Sequence, residues 1–344
     1  MRTTRMSRLD SITTLTEQIA RLEHLPPEGV VPFYDASDFL TALFNRLAHD
    51  RPTVYAAGHV TPDIMIAADK AGLTVTETLG PSPFAADLDA LLDRVRSATD
   101  IIYLAHPNRV SGITWGAREL ETIAQVVPEG TLIIDEELLS FHGTSAASLT
   151  ENHPRVVILR SLTAPFGLTK ARYGYAVAHP LTVRRHLRAL GNRLPTSARK
   201  LIESTLTNND TRQRLLHTVR EESLRLGTAL SALGIQNHVT PTDFLLFRVA
   251  DPRLVGDSLT AAGVAVENLD GYPLLKHYLR YRLRSPQKND DFIRAMQRMP
   301  RAYYFLENRD TRPTTLHRQG EQAKPTRPPS RVRRSDKQTE VVTG

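Results

Sequence analysis

The sequence predicts an α/β protein: a mainly parallel sheet covered by helices on both faces, followed by a smaller C-terminal α+β unit. Three observations carry this. Short apolar runs such as Ile101–Ala105, Thr131–Ile134 and Val156–Leu159 are hydrophobic without alternation, as strands buried on both faces are. Segments with apolar residues three and four apart lie between them, as in helices that cover a sheet. Beyond about residue 210 a long helical stretch, Arg212–Leu233, leads into a different order of short strands.

In chain order, Leu15–Leu22 has helical spacing and ends at Pro26-Pro27. Val30–Tyr34 reads as a strand. Ser37 then caps a helix whose apolar residues are Phe39, Leu40, Leu43, Phe44 and Leu47. Thr53–Ala57 is a strand and Ile64–Ala71 a helix. Ile101–Ala105, the helix Glu119–Val127, and the strands Thr131–Asp135, Val156–Arg160 and Tyr173–Val177 complete the large unit. In the smaller unit, strands are expected at Asp243–Val249, Val264–Val266 and Leu279–Leu283, with a last helix from near Asn289. The expected division is residues 1–29 as an N-terminal helical segment, 30–210 as the large unit, 211–308 as the small one, and 309–344 as a tail.

Composition excludes some chemistry. There are no cysteines, so disulfides, thiolate metal sites and a cysteine nucleophile are ruled out. The N-terminus has basic residues without an apolar stretch behind them, and no run approaches a membrane span, so a cytoplasmic protein is expected. The net charge of +7 would suit nucleic acid, but residues 309–344 hold nine Lys/Arg against four Asp/Glu and no aromatic residue. Most of the excess therefore belongs to a Pro-, Thr- and Arg-rich segment that reads as a disordered basic tail, which argues against nucleic acid.

Five collinear stretches carry a resemblance. They are Tyr34-Asp35-Ala36-Ser37-Asp38, Ala105-His106-Pro107-Asn108-Arg109-Val110-Ser111-Gly112, and Ile134-Asp135-Glu136-Glu137-Leu138. The others are Arg160-Ser161-Leu162-Thr163-Ala164 with Lys170-Ala171-Arg172-Tyr173-Gly174-Tyr175, and Asp270-Gly271-Tyr272-Pro273 leading to Arg280. Together they resemble fold-type I pyridoxal-phosphate aminotransferases of class I/II, in the branch of histidinol-phosphate aminotransferase and threonine-phosphate decarboxylase. The resemblance runs from about Leu15 to about Arg301. It implies that fold, with a shortened N-terminal arm.

The resemblance also implies roles. Ser37, Asp38, Ser161, Thr163 and Arg172 match the phosphate cup, although Ser37-Asp38 alone also suits an ordinary helix cap. Asp135 matches the carboxylate that holds the pyridine nitrogen protonated. Arg280 matches the arginine that binds substrate carboxylate, and strand alternation would put Arg282 and Arg284 on its face. Four positions depart from the family. Arg109 and Leu138 stand where an asparagine and a tyrosine bind the phenolic oxygen, and Ile64 falls where an aromatic ring stacks. Most telling, Ala164 stands in the slot of the Schiff-base lysine. Alanine forms no Schiff base and moves no proton.

The expected protein is therefore aminotransferase-like with a degenerate cofactor site. Its pocket would take a phosphorylated or carboxylate small molecule, and any pyridoxal or pyridoxamine phosphate would be held non-covalently, without a metal. It would act as a binding protein or as a non-catalytic subunit, in a homodimer or in a heterodimer with an active paralogue. Two alternatives stand beside this reading. One is an enzyme of altered chemistry in the same pocket, using His59, His106 or Arg109. The other is an active aminotransferase or decarboxylase that uses another lysine, such as Lys170.

Overall fold

The computed structural model describes residues 8–48, 53–95, 100–126, 130–139, 144–163, 173–191, 195–206 and 209–304. Its first sheet has seven strands: β1 (Val30–Phe33), β2 (Thr53–Ala57), β3 (Thr74–Thr78), β4 (Ile101–Ala105), β5 (Thr131–Glu136), β6 (Val156–Ser161) and β7 (Gly174–Ala178). They lie in the order β1-β7-β6-β5-β4-β2-β3, and only β7 runs against its neighbours.

Side-chain alternation sorts this sheet into two packed faces. Ile101, Tyr103, Ile133, Val157 and Leu159 point toward helices α2 (Ala36–Leu47) and α3 (Pro62–Lys70), which contribute Phe39, Leu43, Phe44, Ile64 and Ala67. Ile102, Leu104, Leu132, Ile134 and Ile158 point the other way. There α1 (Arg8–Glu23) adds Leu15 and Ile19, α4 (Leu88–Arg94) adds Leu91, and α5 (Ala117–Val126) adds Leu120 and Ile123. Burial on both faces explains why these strands read as unbroken apolar runs.

A short α6 (Leu149–Asn152) precedes β6, and α7 (Pro180–Thr182) follows β7 and passes into a π turn at Val183–Leu187. Helix α8 (Thr196–Leu206) returns to α1, and α9 (Asn209–Ala232) leads to the second sheet. That sheet is antiparallel in the order β10-β11-β9-β8, with β8 (Asn237–Val239), β9 (Phe244–Arg248), β10 (Glu267–Asn268) and β11 (Tyr278–Arg282). One face packs Leu245, Phe247, Leu279 and Tyr281 on α9, α10 (Pro252–Ala261) and α11 (Pro286–Arg298); α12 (Arg301–Tyr304) closes the same core. The other face sets Phe244, Leu246 and Tyr278 against Val110, so the second sheet meets the turn that follows β4.

Several expected elements move. Val264–Val266 is not a strand; the pairing comes at Glu267-Asn268, because Gly263 ends α10 with φ +78° and the chain needs three residues to reach β11. The last helix starts at Pro286, where Ser285 is the N-cap. Asp35, not Ser37, caps α2: its carboxylate accepts from the amides of Ser37 (2.8 Å) and Asp38 (3.1 Å). A carboxylate binds orphan helix amides more strongly than a hydroxyl does. The expected tail at 309–344 lies outside the described residues.

One buried polar network ties α1 to the sheet. Arg160 on β6 donates to Glu136 on β5 (2.9 Å) and to Glu23 on α1 (3.2 Å), and the Tyr175 hydroxyl donates to Glu23 (2.5 Å). Glu136 is fully buried and also accepts from the Ala146 amide (2.6 Å). Removing the cation would strand two carboxylates away from water. Arg160→Ala is expected to cost about 3–5 kcal/mol in urea unfolding.

A second expectation concerns acid. His238 on β8 stacks on Phe84 with centroids 4.0 Å apart, and burial lowers its pKa to about 4. The folded state thus favours the neutral ring. Its stabilisation is complete above the unfolded value near 6.5 and declines as pH falls through the window down to about 4. His238→Phe should flatten the urea midpoint across that window relative to the unsubstituted chain.

Candidate active site

Polar residues gather at the C-terminal ends of β4, β5 and β6 and at the start of α2. Asp135 closes the apolar strand β5 and is 3% exposed. Its Oδ1 accepts from the Glu137 amide (3.0 Å), and its Oδ2 accepts from the Tyr103 hydroxyl (2.6 Å). The register explains the second bond. Tyr103 pairs with Ile133, so it shares the face of Asp135 one step along the neighbouring strand. Burial, and then the Asp135 charge, push the Tyr103 pKa well above its ordinary value, so the hydroxyl stays a donor.

Arg109 enters from the turn after β4. One of its nitrogens, Nη1, lies 3.2 Å from Asp63 at the start of α3, 3.3 Å from Glu137 and 3.9 Å from Asp135 Oδ2. Burial alone would lower its pKa, but Glu137, Asp135 and Asp63 outweigh that and hold the guanidinium above its ordinary range. It is a fixed cation beside Asp135.

The turn itself is rigid. Asn108 is 2% exposed; its Oδ1 accepts from the Val110 and Ser111 amides (2.9 and 3.0 Å), and its Nδ2 donates to the His59 carbonyl (2.8 Å). Gly112 has φ +78°, and a Cβ there would sit 2.5 Å from the Thr240 methyl carbon. Only glycine suits both the conformation and the close approach. The His106–Pro107 peptide is cis, and His106 Nδ1 accepts from the Trp115 amide (3.0 Å).

At the other end, the Ser161 and Thr163 hydroxyls lie 3.1 Å apart and both residues are buried. The Ser37 hydroxyl is buried with no hydrogen-bond partner among the described residues, while Asp38 is exposed. Arg280 reaches the pocket from β11. It donates through Nη1 to the Arg109 carbonyl (2.6 Å), pairs with Glu267 on β10, and lies over the Phe244 ring at 5.2 Å. His59 is 3% exposed and edge-on to Tyr272 at 5.5 Å. Neither ring nitrogen makes a hydrogen bond among the described residues, and burial lowers its pKa.

The structure thus brings Arg109, Asp135 and Arg280 into contiguity through Arg109, and places Ser161 and Thr163 together at the end of β6. Ala164, Lys170 and Arg172 lie outside the described residues. Three further positions are placed. Ile64 is a core residue of α3, 3% exposed among Phe39 and Ala67, and faces the sheet. Leu138 is partly buried against the Val110–Phe244 cluster. Arg282 shares the face of Arg280 as alternation predicts, pairing with Asp243 (2.6 Å) and lying 4.0 Å from Glu267, whereas β11 ends there, so Arg284 leaves the strand and its amide bonds Asn289. The basic strip is therefore Arg280 and Arg282, paired with Glu267 and Asp243.

Sequence reasoning missed Tyr103, Asp63, Glu137, Glu267 and the Asp35 cap. Tyr103 was within reach of it: a hydroxyl-bearing ring in a wholly apolar strand needs a partner, and alternation points it at Asp135's face. Asp63, Glu137 and Glu267 lie at a helix start, in a turn and on a two-residue strand, and are set by tertiary approach, whereas the Asp35 cap is local. Among the described residues no group of three His, Cys, Asp or Glu could hold a metal ion, and no helix is long and apolar enough to cross a membrane. The network predicts the cost of removing its cation. Arg109→Ala leaves Asp63, Asp135 and Glu137 facing one another, and should destabilise the chain by about 2–4 kcal/mol in urea unfolding.

Solved structures share this fold. Histidinol-phosphate aminotransferase from Clostridium acetobutylicum superposes with a TM-score of 0.75 at 19% identity, over 84% of this chain and 89% of that one. Histidinol-phosphate aminotransferase from Sinorhizobium meliloti, solved in complex with pyridoxal-5′-phosphate, gives 0.75 at 18%, over 83% and 80%. L-threonine-O-3-phosphate decarboxylase from Porphyromonas gingivalis gives 0.67 at 18%, over 84% and 91%. In sequence, histidinol-phosphate aminotransferase from Chlorobium luteolum is 29% identical over 220 residues, 62% of this chain and 60% of the relative. The Methylibium petroleiphilum enzyme of the same name is 28% identical over 292 residues, 82% of this chain and 78% of the relative. The match thus spans about six-tenths of the Chlorobium relative's length. The family model for aminotransferase class I and II matches residues 7–296, and the chain belongs to that family.

Proposed function

We propose that this chain keeps the aminotransferase fold without lysine-dependent transamination, and serves as a binding protein or non-catalytic subunit for a phosphorylated or carboxylate small molecule. One observation carries this reading: Arg109 is locked by three carboxylates beside Asp135. The resemblance puts a neutral asparagine at position 109 and a lysine at 164, where the sequence has alanine.

The pocket suits pyridoxal phosphate better at one end than at the other. At the phosphate end, the partnerless Ser37 hydroxyl and the Ser161–Thr163 pair suit an anion. Asp38 is exposed, and its amide and that of Ser37 already bond Asp35, so the cup would rest on hydroxyls and on Arg172. At the ring end Asp135 accepts one hydrogen bond on each oxygen and has the Arg109 cation 3.9 Å away, so a protonated pyridine there would compete with a fixed positive charge. A phosphorylated ligand smaller than the cofactor suits the anion end. Arg280 would have to exchange Glu267 for a ligand carboxylate.

Residues 30–210 and 211–308 act in this reading as two units around the pocket, within a cytoplasmic homodimer or a heterodimer with an active paralogue. An enzyme of altered chemistry remains the second reading, because His59 is buried with both ring nitrogens free of hydrogen bonds among the described residues. His106 is less available, since its Nδ1 is committed to Trp115.

The test is to mix the purified chain with pyridoxal phosphate, follow the visible absorbance of a Schiff base, reduce with borohydride, and map modified lysines by mass spectrometry. No specific absorbance and no stoichiometric lysine adduct are expected. A single stoichiometric adduct, at Lys170 for instance, would overturn the reading. Turnover of an amino-acid-like ligand without an adduct would favour the enzyme of altered chemistry.

A further inference from the structure

A second polar concavity lies at the far end of the large sheet, about 13 Å of strand away from Asp135 at the start of β5. It has a volume of about 120 Å³. Its floor is apolar: Leu43 and Leu47 of α2, Val157 of β6, and Leu187. Its rim is basic, formed by Arg155, Arg185 and His186. Arg46, in the last turn of α2, stands beside the rim and donates Nη2 to the Arg185 carbonyl (2.7 Å).

No carboxylate pairs with Arg46, Arg155 or Arg185 among the described residues, whereas Arg109, Arg160, Arg225, Arg280 and Arg282 all have acidic partners. Helix ends supply part of the compensation. The C-terminal ends of α2 and of the π turn together offer roughly one negative charge, against three positive ones. All three arginines are exposed, so an anion can reach them from solution.

The local backbone is built for this convergence. The Arg188 amide bonds the Val183 carbonyl (2.8 Å), five residues back, so the turn is wider than an α-helix. Arg185 and His186, adjacent in sequence, can then both line the cavity. Such π turns are frequent at functional sites. His186 Nδ1 is buried and has no partner among the described residues. Burial, then the charges of Arg46, Arg155 and Arg185, hold its pKa below the ordinary value, so at neutral pH it is an uncharged ring with an unused nitrogen.

We propose that this cavity binds a small phosphomonoester, its phosphoryl group between Arg155 and Arg185 and its carbon part on the accessible side chains of Leu47 and Leu181. Guanidinium forks match phosphate oxygens in geometry and charge. The leucine floor separates a phosphate ester from free phosphate, because only the ester has apolar surface to bury. Neither feature belongs to the Asp135 pocket, so the assignment stands independently of the function proposed for that pocket.

The test uses the full chain, titrated calorimetrically at fixed ionic strength with inorganic phosphate, phenyl phosphate and phenol. The imidazole signals of His186 are followed by NMR in parallel. Phenyl phosphate should saturate at least about tenfold more tightly than inorganic phosphate, phenol should not bind, and the His186 pKa should rise on binding. Arg155→Glu and Arg185→Glu, both at exposed positions, should each weaken this event by at least about tenfold. Arg294→Glu on α11 should leave it unchanged, and circular dichroism should report all three variants folded. The proposal is overturned by an absence of saturation with the His186 signals unmoved, by equal affinity for the two phosphates, or by binding that survives both charge reversals. A binding event insensitive to both reversals belongs to the Asp135 pocket.

Discussion

The carboxylate of Asp135 is the constraint around which the pocket is organised. It sits at the end of a strand buried on both faces, so water cannot solvate it, and every hydrogen-bonding direction has to be answered by the protein. Tyr103 and the Glu137 amide donate to it, and the Arg109 cation stands 3.9 Å away. Arg109 in turn draws in Asp63 and Glu137, and its carbonyl receives Arg280 from the second sheet. One buried charge therefore links β4, β5, the start of α3 and β11.

Seen this way, the departures from the family pattern are linked. An arginine at position 109 needs carboxylates, and Asp63 and Glu137 are there. Arg280, the arginine matched to a substrate carboxylate, has Glu267. The α2 amides have Asp35. Each strong charge at the pocket meets an opposite one from the chain itself. A ligand entering there has to displace an internal partner, and that makes ligand exchange more costly than at a site with waiting groups.

Much of the fold was legible because burial leaves a simple record. Strands β4, β5 and β6 are apolar on both faces, and α2 shows three-and-four spacing, because each contacts a single kind of neighbour. Elements that escaped are those whose residues answer to other demands. Strand β3, Thr-Val-Thr-Glu-Thr, lies at the sheet edge with partly exposed side chains and carries no apolar run. Strand β8 has three residues, two of them Asn237 and His238, which are held by local bonds and a ring stack. At the site, the strand-borne Asp135, Ser161 and Arg280 could be placed from alternation and motif. Asp63, Glu137 and Glu267 could not, because their partners are distant in sequence and only tertiary approach selects them.

The claim that Arg109 has become the counter-ion of Asp135 is tested most directly by a double-mutant cycle. Arg109→Ala, Asp135→Asn and the double variant are compared with the unsubstituted chain by urea unfolding. If the pair is coupled as the geometry requires, neutralising Asp135 costs less once Arg109 is gone, with an interaction energy of at least about 1 kcal/mol. Additive costs, within about 0.3 kcal/mol, would contradict the account.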